Sequence, residues 1–297
     1  MSTLTAAFEP PLTGSPKITF PTRLRQISRA IGFASVLAAA GLEFLILRFF
    51  GRIRGPLDGA LWLQRICQKL VRVLDLRVRY EGERANSGLL VFNHVSYLDI
   101  VALAARHPVV FVSKSDVRAW PVIGWIAASA GTIFIDRTKR LDVGRITSLI
   151  HEHLALGVQL CIFPEGTSTD GTKVLPFRTS LLEPALQSQQ PVTAGWVGYA
   201  LEDGAAETEV CYWGDLTFGP HLWNLFSKRC IHGTVACAAP VQGHGCRKEF
   251  GRQLHESVCQ LSERAGELKR RAVQSRLAAE SAEEDGSYFS SSADGAA

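Results

Sequence analysis

From residue 88 onward, short apolar runs alternate with longer amphipathic stretches. The runs at 88–93, 108–113, 131–136, 158–163, 191–198, 208–215 and 233–240 have the length and aliphatic content of strands. The stretches at 97–106, 117–130, 141–156 and 177–189 place their apolar positions at helical spacing. Strands alternating with helices predict an α/β fold, a sheet flanked by helices. The shorter late connections make that sheet mixed rather than wholly parallel.

The N-terminal part has a different pattern. Residues 1–22 are polar and punctuated by proline, and they read as disordered. From Ile31 to Phe50 the chain is apolar apart from Glu43 and Arg48. The uninterrupted portion, Ile31 to Leu42, falls short of the roughly 20 residues that span a bilayer. Arg23, Arg25 and Arg29 precede it and Arg48, Arg52 and Arg54 follow, so charge gives no orientation. A shallow or re-entrant anchor fits this pattern. Next, Trp62, Ile66, Leu70 and Val73 share one helical face, and Arg65, Lys69 and Arg72 form a basic one. That helix either lies among lipid head groups or packs on the domain. The expected organisation is a disordered 1–22, membrane-associating helices forming a hairpin over 23–80, an α/β domain over 81–246, a charge-rich helix over 247–280 and a disordered tail over 281–297.

Composition narrows the function. The net charge of +4 is too small to indicate nucleic acid, and no basic-aromatic cluster accompanies it. A mildly basic face on an anionic membrane is the simpler reading, and the mean hydropathy of +0.09 is high for a freely soluble enzyme. Seven scattered cysteines argue for a reducing compartment rather than a disulfide framework. Cys230, His232, Cys237, His244 and Cys246 lack the paired spacing of common zinc modules, so no metal site is expected.

Two segments carry chemistry. Asn93-His94-Val95-Ser96-Tyr97-Leu98-Asp99 follows the apolar run 89–92, and Phe163-Pro164-Glu165-Gly166-Thr167 follows the run 160–163. An imidazole five residues from a carboxylate suits a base and its orienting partner. Eight His and eleven Asp in 297 residues give about 0.3 such spacings by chance, so the spacing alone has little weight. Asp99 also fits the S/T-x-x-acid pattern of a helix cap from Ser96. Both roles are compatible. In the second segment the Gly166 and Thr167 amides suit an oxyanion or phosphate, and Glu165 could brace the loop. No G-x-S-x-G elbow supports a covalent intermediate.

The two segments, in this order, resemble the glycerolipid acyltransferase family, whose members carry an N-H-x4-D block followed by F-P-E-G-T. Between them Lys114, Pro121, Gly124, Gly131, Ile135, Asp136 and Arg137 resemble the family's intermediate block, and Pro191-Val192 its last one. The resemblance covers roughly residues 85–220. It implies that His94 and Asp99 are catalytic, and that Asn93, Lys114, Arg137, Glu165, Gly166, Thr167 and Ser168 contribute to substrate binding. It further implies transfer of a fatty acyl group from acyl-CoA or acyl carrier protein to a lysolipid hydroxyl, with no bound cofactor, at the cytoplasmic face of a membrane. The expected acceptor is 1-acyl-glycerol-3-phosphate, with lyso-ornithine lipid as the alternative; a non-catalytic lipid-binding protein of the same fold is the other class. One departure bears on the acceptor. Ser168 stands where glycerophosphate-type members usually have arginine, so a phosphate would need Lys114, Arg137, Lys173 or Arg178.

Overall fold

The structure of the protein is a computed structural model that describes residues 20–83, 86–136 and 140–267. In chain order its elements are α1 (Phe20–Phe49), α2 (Pro56–Val73), β1 (Leu76–Glu81), β2 (Leu89–Phe92), α3 (Leu98–Arg106), β3 (Val110–Lys114), α4 (Ile123–Ser129) and β4 (Ile133–Ile135). There follow α5 (Arg140–Ala155), β5 (Leu160–Ile162), α6 (Glu183–Ser188), β6 (Pro191–Leu201), α7 (Ala206–Glu209), α8 (Phe218–Ser227), β7 (Ile231–Cys237), β8 (Val241–Gln242) and α9 (247–267). The expected disordered ends and residues 268–280 of the last helix lie outside the described residues, except that Phe20–Thr22 already belong to α1.

The sheet runs β1-β7-β6-β2-β5-β3-β4, with β8 on β6. The central pairs β6–β2, β2–β5, β5–β3 and β3–β4 are parallel, whereas β7 and β8 are antiparallel to β6. The sheet is therefore mixed, and both faces are covered. Leu89, Val91, Val110, Val112, Leu160 and Ile162 pack toward α5, α6 and α9. Leu90, Phe92, Phe111 and Cys161 pack on the other face with α1, α2, α3 and α8. Period-2 alternation between two buried faces explains why these strands read as continuous apolar runs.

Several elements depart from the sequence expectation. Residues 208–215 are not a strand; α7 and a loop occupy them. Their backbone is committed elsewhere, since the Tyr212 N–H donates to Val95 O and Val210 O accepts from Ser96 Oγ. The sheet begins at Leu76, inside the segment assigned to membrane helices, because β1 pairs with β7. The expected helix 117–130 is a 3₁₀ turn (Ser115–Ala119) and α4, interrupted at Pro121, which cannot donate an N–H. Likewise 177–189 is a 3₁₀ turn and α6, and α8 was not anticipated.

α1 and α2 lie against the domain. The apolar face of α2 is buried: Trp62, Ile66 and Leu70 are in the core, and Trp62 Nε1 donates to Ala40 O of α1 at 3.2 Å. Its basic face meets α1, with Arg65 2.7 Å and Lys69 3.9 Å from Glu43. Of the two placements open to α2, the domain-packed one holds. α1 supplies the exposed apolar surface instead, through Phe20, Leu24, Ile27, Ile31, Leu42, Leu45, Ile46 and Phe49. It is long and apolar enough to cross a bilayer, yet its polar residues hold it to the domain. Gln26 donates to Trp223 O, Arg25 to Ser227 O, and Arg29 to the Lys228 and Arg229 carbonyls. Those carbonyls end α8, where cationic donors complement the helix dipole. An exposed apolar stripe of this length associates α1 with a membrane.

Candidate active site

The parallel strands β2, β5 and β3 end together, and the functional segments leave from those ends. Ligands of open α/β sheets bind outside the carboxyl ends of the strands. β2 delivers Asn93 and His94, β5 delivers Phe163 to Ser168, and β3 ends at Lys114. In this register Leu90 lies beside Cys161, which lies beside Phe111. Lys114 thus stands two strands, roughly 10 Å, from the His94 segment.

Asn93 is buried and fixes the turn. Its Nδ2–H donates to Val197 O at 2.9 Å and its Oδ1 accepts from Val197 N–H at 2.7 Å. The side-chain amide extends the β2–β6 pairing beyond Phe92 and aims the following residue out of the sheet. The His94 ring stacks on Phe163, with centroids 4.3 Å apart, and its Nδ1 lies 2.7 Å from Asp99 Oδ2. Asp99 is fully buried. Its Oδ2 also accepts from the Val95 and Ser96 N–H groups at 2.8 and 3.0 Å, and its Oδ1 accepts from Tyr199 O–H at 2.9 Å. Asp99 therefore ties the backbone entering α3 to the imidazole; only the acidic half of the expected cap forms, because the Ser96 hydroxyl donates to Val210 O and the Asp99 N–H to the Ser96 carbonyl. An acceptor at Nδ1 places the proton there and leaves Nε2 as the basic nitrogen.

Glu165 braces this arrangement. Its Oε1 accepts from His94 N–H at 2.6 Å and its Oε2 from Leu175 N–H at 2.7 Å. Burial pushes its pKa up to about 6, against the opposing effect of those two donors. Gly166 adopts φ of +80°, which suits glycine alone among common residues, and its N–H donates to Phe163 O within the turn. The expectation that this amide receives an oxyanion is thereby corrected. Among the described residues the Thr167 and Ser168 N–H groups have no hydrogen-bond acceptor, and both residues line the cavity beside His94. The Ser168 hydroxyl donates to Tyr212 O, and Thr169 N–H to His94 O at 2.9 Å, which ties three loops together.

His94 opens on a cavity of about 540 Å³. Most of its wall is apolar, drawn from α1 (Phe33, Leu37), α2 (Leu63, Ile66, Leu70), α3 (Leu98, Val101) and α4 (Ile126). Its polar lining comes from Lys114, Asp116, Thr167, Ser168 and Tyr212. Among the described residues on this wall, Lys114 is the one fixed cation. Lys173 and Arg178 do not line it, and Arg137 lies outside the described residues. Trp120 lines the cavity, whereas Trp125 and Trp223 are exposed. Tyr199, Asp116 and Tyr212 were not anticipated. Tyr199 had no local signal, because its partner lies 100 residues away. Of the late Cys/His group, Cys230 and His232 approach Glu202, while Cys237, His244 and Cys246 are not part of that cluster.

A family model described as acyltransferase matches residues 76–197, starting where β1 starts. A lyso-ornithine lipid O-acyltransferase of Pseudomonas aeruginosa is 36% identical over 66% of this chain and 75% of its own length. One of Rhodobacter capsulatus is 36% identical over 74% and 81%. A 1-acyl-sn-glycerol-3-phosphate acyltransferase of Neisseria meningitidis is 32% identical over 59% and 69%. The crystal structure of the 1-acyl-sn-glycerophosphate acyltransferase of Thermotoga maritima superposes with a TM-score of 0.60 at 18% identity, covering 82% of this chain and 98% of that one. That likeness concerns the fold, and the sequence relatives supply the rest: with the His94–Asp99 pair at the mouth of an apolar cavity, this chain belongs to the acyltransferase family.

Proposed function

We propose that the protein transfers a fatty acyl group from a thioester donor, acyl-CoA or acyl carrier protein, to the free hydroxyl of a lysolipid. The observation that carries this reading is the His94–Asp99 pair facing a largely apolar cavity of about 540 Å³. His94 Nε2 takes the proton of the acceptor hydroxyl as its oxygen attacks the thioester carbonyl. The new C–O bond forms, the C–S bond breaks, and the proton passes from Nε2 to the leaving thiolate. Asp99 stabilises the transient imidazolium and keeps its own charge. The Thr167 and Ser168 N–H groups receive the oxyanion, with Gly166 shaping the turn that presents them. Asn93 and Glu165 hold the His94 segment. None of these steps calls on a bound cofactor.

The acceptor follows from the polar lining of the cavity. A phosphate is best bound by a bidentate arginine. Here Ser168 occupies that position and its hydroxyl is spent on Tyr212 O, while Lys114 and Asp116 line the same wall. One cation and one carboxylate match a head group carrying both a carboxylate and an ammonium. A lyso-ornithine lipid meets that description, and the Pseudomonas and Rhodobacter relatives bear that name. The phosphate-bearing 1-acyl-glycerol-3-phosphate is the second reading, favoured by the Neisseria relative and by Lys114. Partners are membrane lipids and the acyl donor's carrier. α1 lies along the cytoplasmic face, where such donors are found, with its exposed stripe in the bilayer surface.

The test is thiol release by purified protein, comparing wild type with His94→Ala. Acyl-CoA and acyl carrier protein donors are each supplied with no acceptor, lysophosphatidate or lyso-ornithine lipid. Release that depends on an acceptor and vanishes in the variant supports transfer. Release without acceptor would indicate a hydrolase. Silence with every combination would leave a lipid-binding protein. A preference for lyso-ornithine lipid that Ser168→Arg moves toward lysophosphatidate would support the head-group assignment, and no movement would refute it.

A further inference from the structure

Asp99 has two unequal oxygens. Oδ2 collects His94 Nδ1 and two backbone N–H groups, and Oδ1 accepts from the Tyr199 hydroxyl across 100 residues. Tyr199 sits on β6, two residues past Val197, the residue that Asn93 clasps. One strand thereby grips both ends of the His94–Asp99 segment. The register also makes room for the ring. Gly233 of β7 lies opposite Tyr199, and a Cβ there would come within 3.3 Å of the ring. The hydroxyl is held neutral, because burial and then the Asp99 charge push its ionisation well above the usual tyrosine range.

We infer that Tyr199 is a positioning residue for the transfer, setting through Asp99 how strongly His94 holds a proton. The inference rests on His94 being the base. By donating to Oδ1, Tyr199 spreads the carboxylate charge and fixes its plane, so Oδ2 addresses Nδ1 with moderated strength. Removing the donor concentrates that charge beside the imidazole and favours its protonated form. The other titratable groups facing this pair are Glu165 after β5, Cys161 on β5, Cys211 after α7 and Tyr80 on β1. None of them hydrogen-bonds Tyr199 among the described residues, and all are present in wild type and variants alike.

The experiment is the pH profile of kcat/KM for wild type, Tyr199→Phe and His94→Ala, with protein carrying 3,5-difluorotyrosine at 199 as a further form. In Tyr199→Phe the acid limb moves up by about half to one pH unit. Activity falls roughly three- to tenfold on the acid limb and the loss closes on the alkaline side, while KM changes less than twofold, since Tyr199 is not among the residues lining the cavity. Difluorotyrosine, a stronger donor of the same shape, moves the limb down. The fluorinated form also serves if Tyr199→Phe fails to fold. A limb unmoved in both forms, or a uniform loss at every pH, overturns the inference while leaving the base assignment intact. Retained activity in His94→Ala would instead remove the base reading itself.

Discussion

Asp99→Asn separates the charge of this carboxylate from its geometry. The replacement keeps the shape, and the surroundings dictate its orientation. At the Oδ2 position two backbone N–H groups, of Val95 and Ser96, can only donate, so the asparagine oxygen must point there. The amide NH₂ then faces Tyr199, whose hydroxyl can turn to accept. The Nδ1–H of His94 retains its acceptor, and Nε2 stays the basic nitrogen. What disappears is the negative charge beside the imidazolium. With charge centres roughly 4 Å apart and an effective dielectric of about 20, that interaction is worth about 4 kcal/mol. At 1.36 kcal/mol per tenfold, kcat falls about a thousandfold. Each hydrogen bond merely changes from charged to neutral, and a buried charge is removed, so stability changes by no more than about 2 kcal/mol. The assay is acceptor-dependent thiol release, with thermal unfolding as control. A folded Asp99→Asn protein retaining more than a tenth of wild-type kcat would refute the electrostatic role.

Three other outcomes are expected. Gly195→Ala places a Cβ within 2.2–2.6 Å of the Phe92 ring, so the overpacked core loses about 1–3 kcal/mol; Tm by calorimetry falls roughly 2–4 °C for each of these, and an unchanged Tm would contradict the packing. Glu165 has a folded pKa of about 6, above its ordinary 4.5, so the folded state binds more protons than the unfolded state between those values. Stability relative to Glu165→Gln therefore falls by about 1–2 kcal/mol as pH rises from 4.5 to 6, and denaturant unfolding giving a rise would reverse the sign. Replacing Leu24 and Ile31 by aspartate breaks the exposed stripe of α1, and vesicle binding in sedimentation weakens at least a hundredfold; undiminished binding would place the membrane contact elsewhere.

Much of the site was legible because its signals are local. His94 and Asp99 lie within one turn of a strand-to-helix junction, and Glu165 follows its strand directly, so both segments stand out locally; their spacing had little weight alone, and the resemblance to a family supplied their roles. β1 was missed, although Leu76, Val78 and Tyr80 alternate with Arg77, Arg79 and Glu81, because it lies within the stretch read as membrane helices and gains its place in the sheet only through β7 as partner. The run 208–215 misled because apolar content marks burial, and burial of Val210 and Cys211 is satisfied by packing behind the His94 loop without a ladder.

The amino-acid sequence by itself determined the layered α/β architecture, the order of the functional segments and the closeness of an imidazole to a carboxylate. These follow from periodicity and from residue types held a few positions apart. The tertiary structure alone decided which amides are free, where Ser168 spends its hydroxyl, that α1 rather than α2 presents the apolar surface, and that Tyr199 reaches Asp99. Each of those depends on contacts between residues tens to hundreds of positions apart, and such contacts leave no periodic trace in the chain.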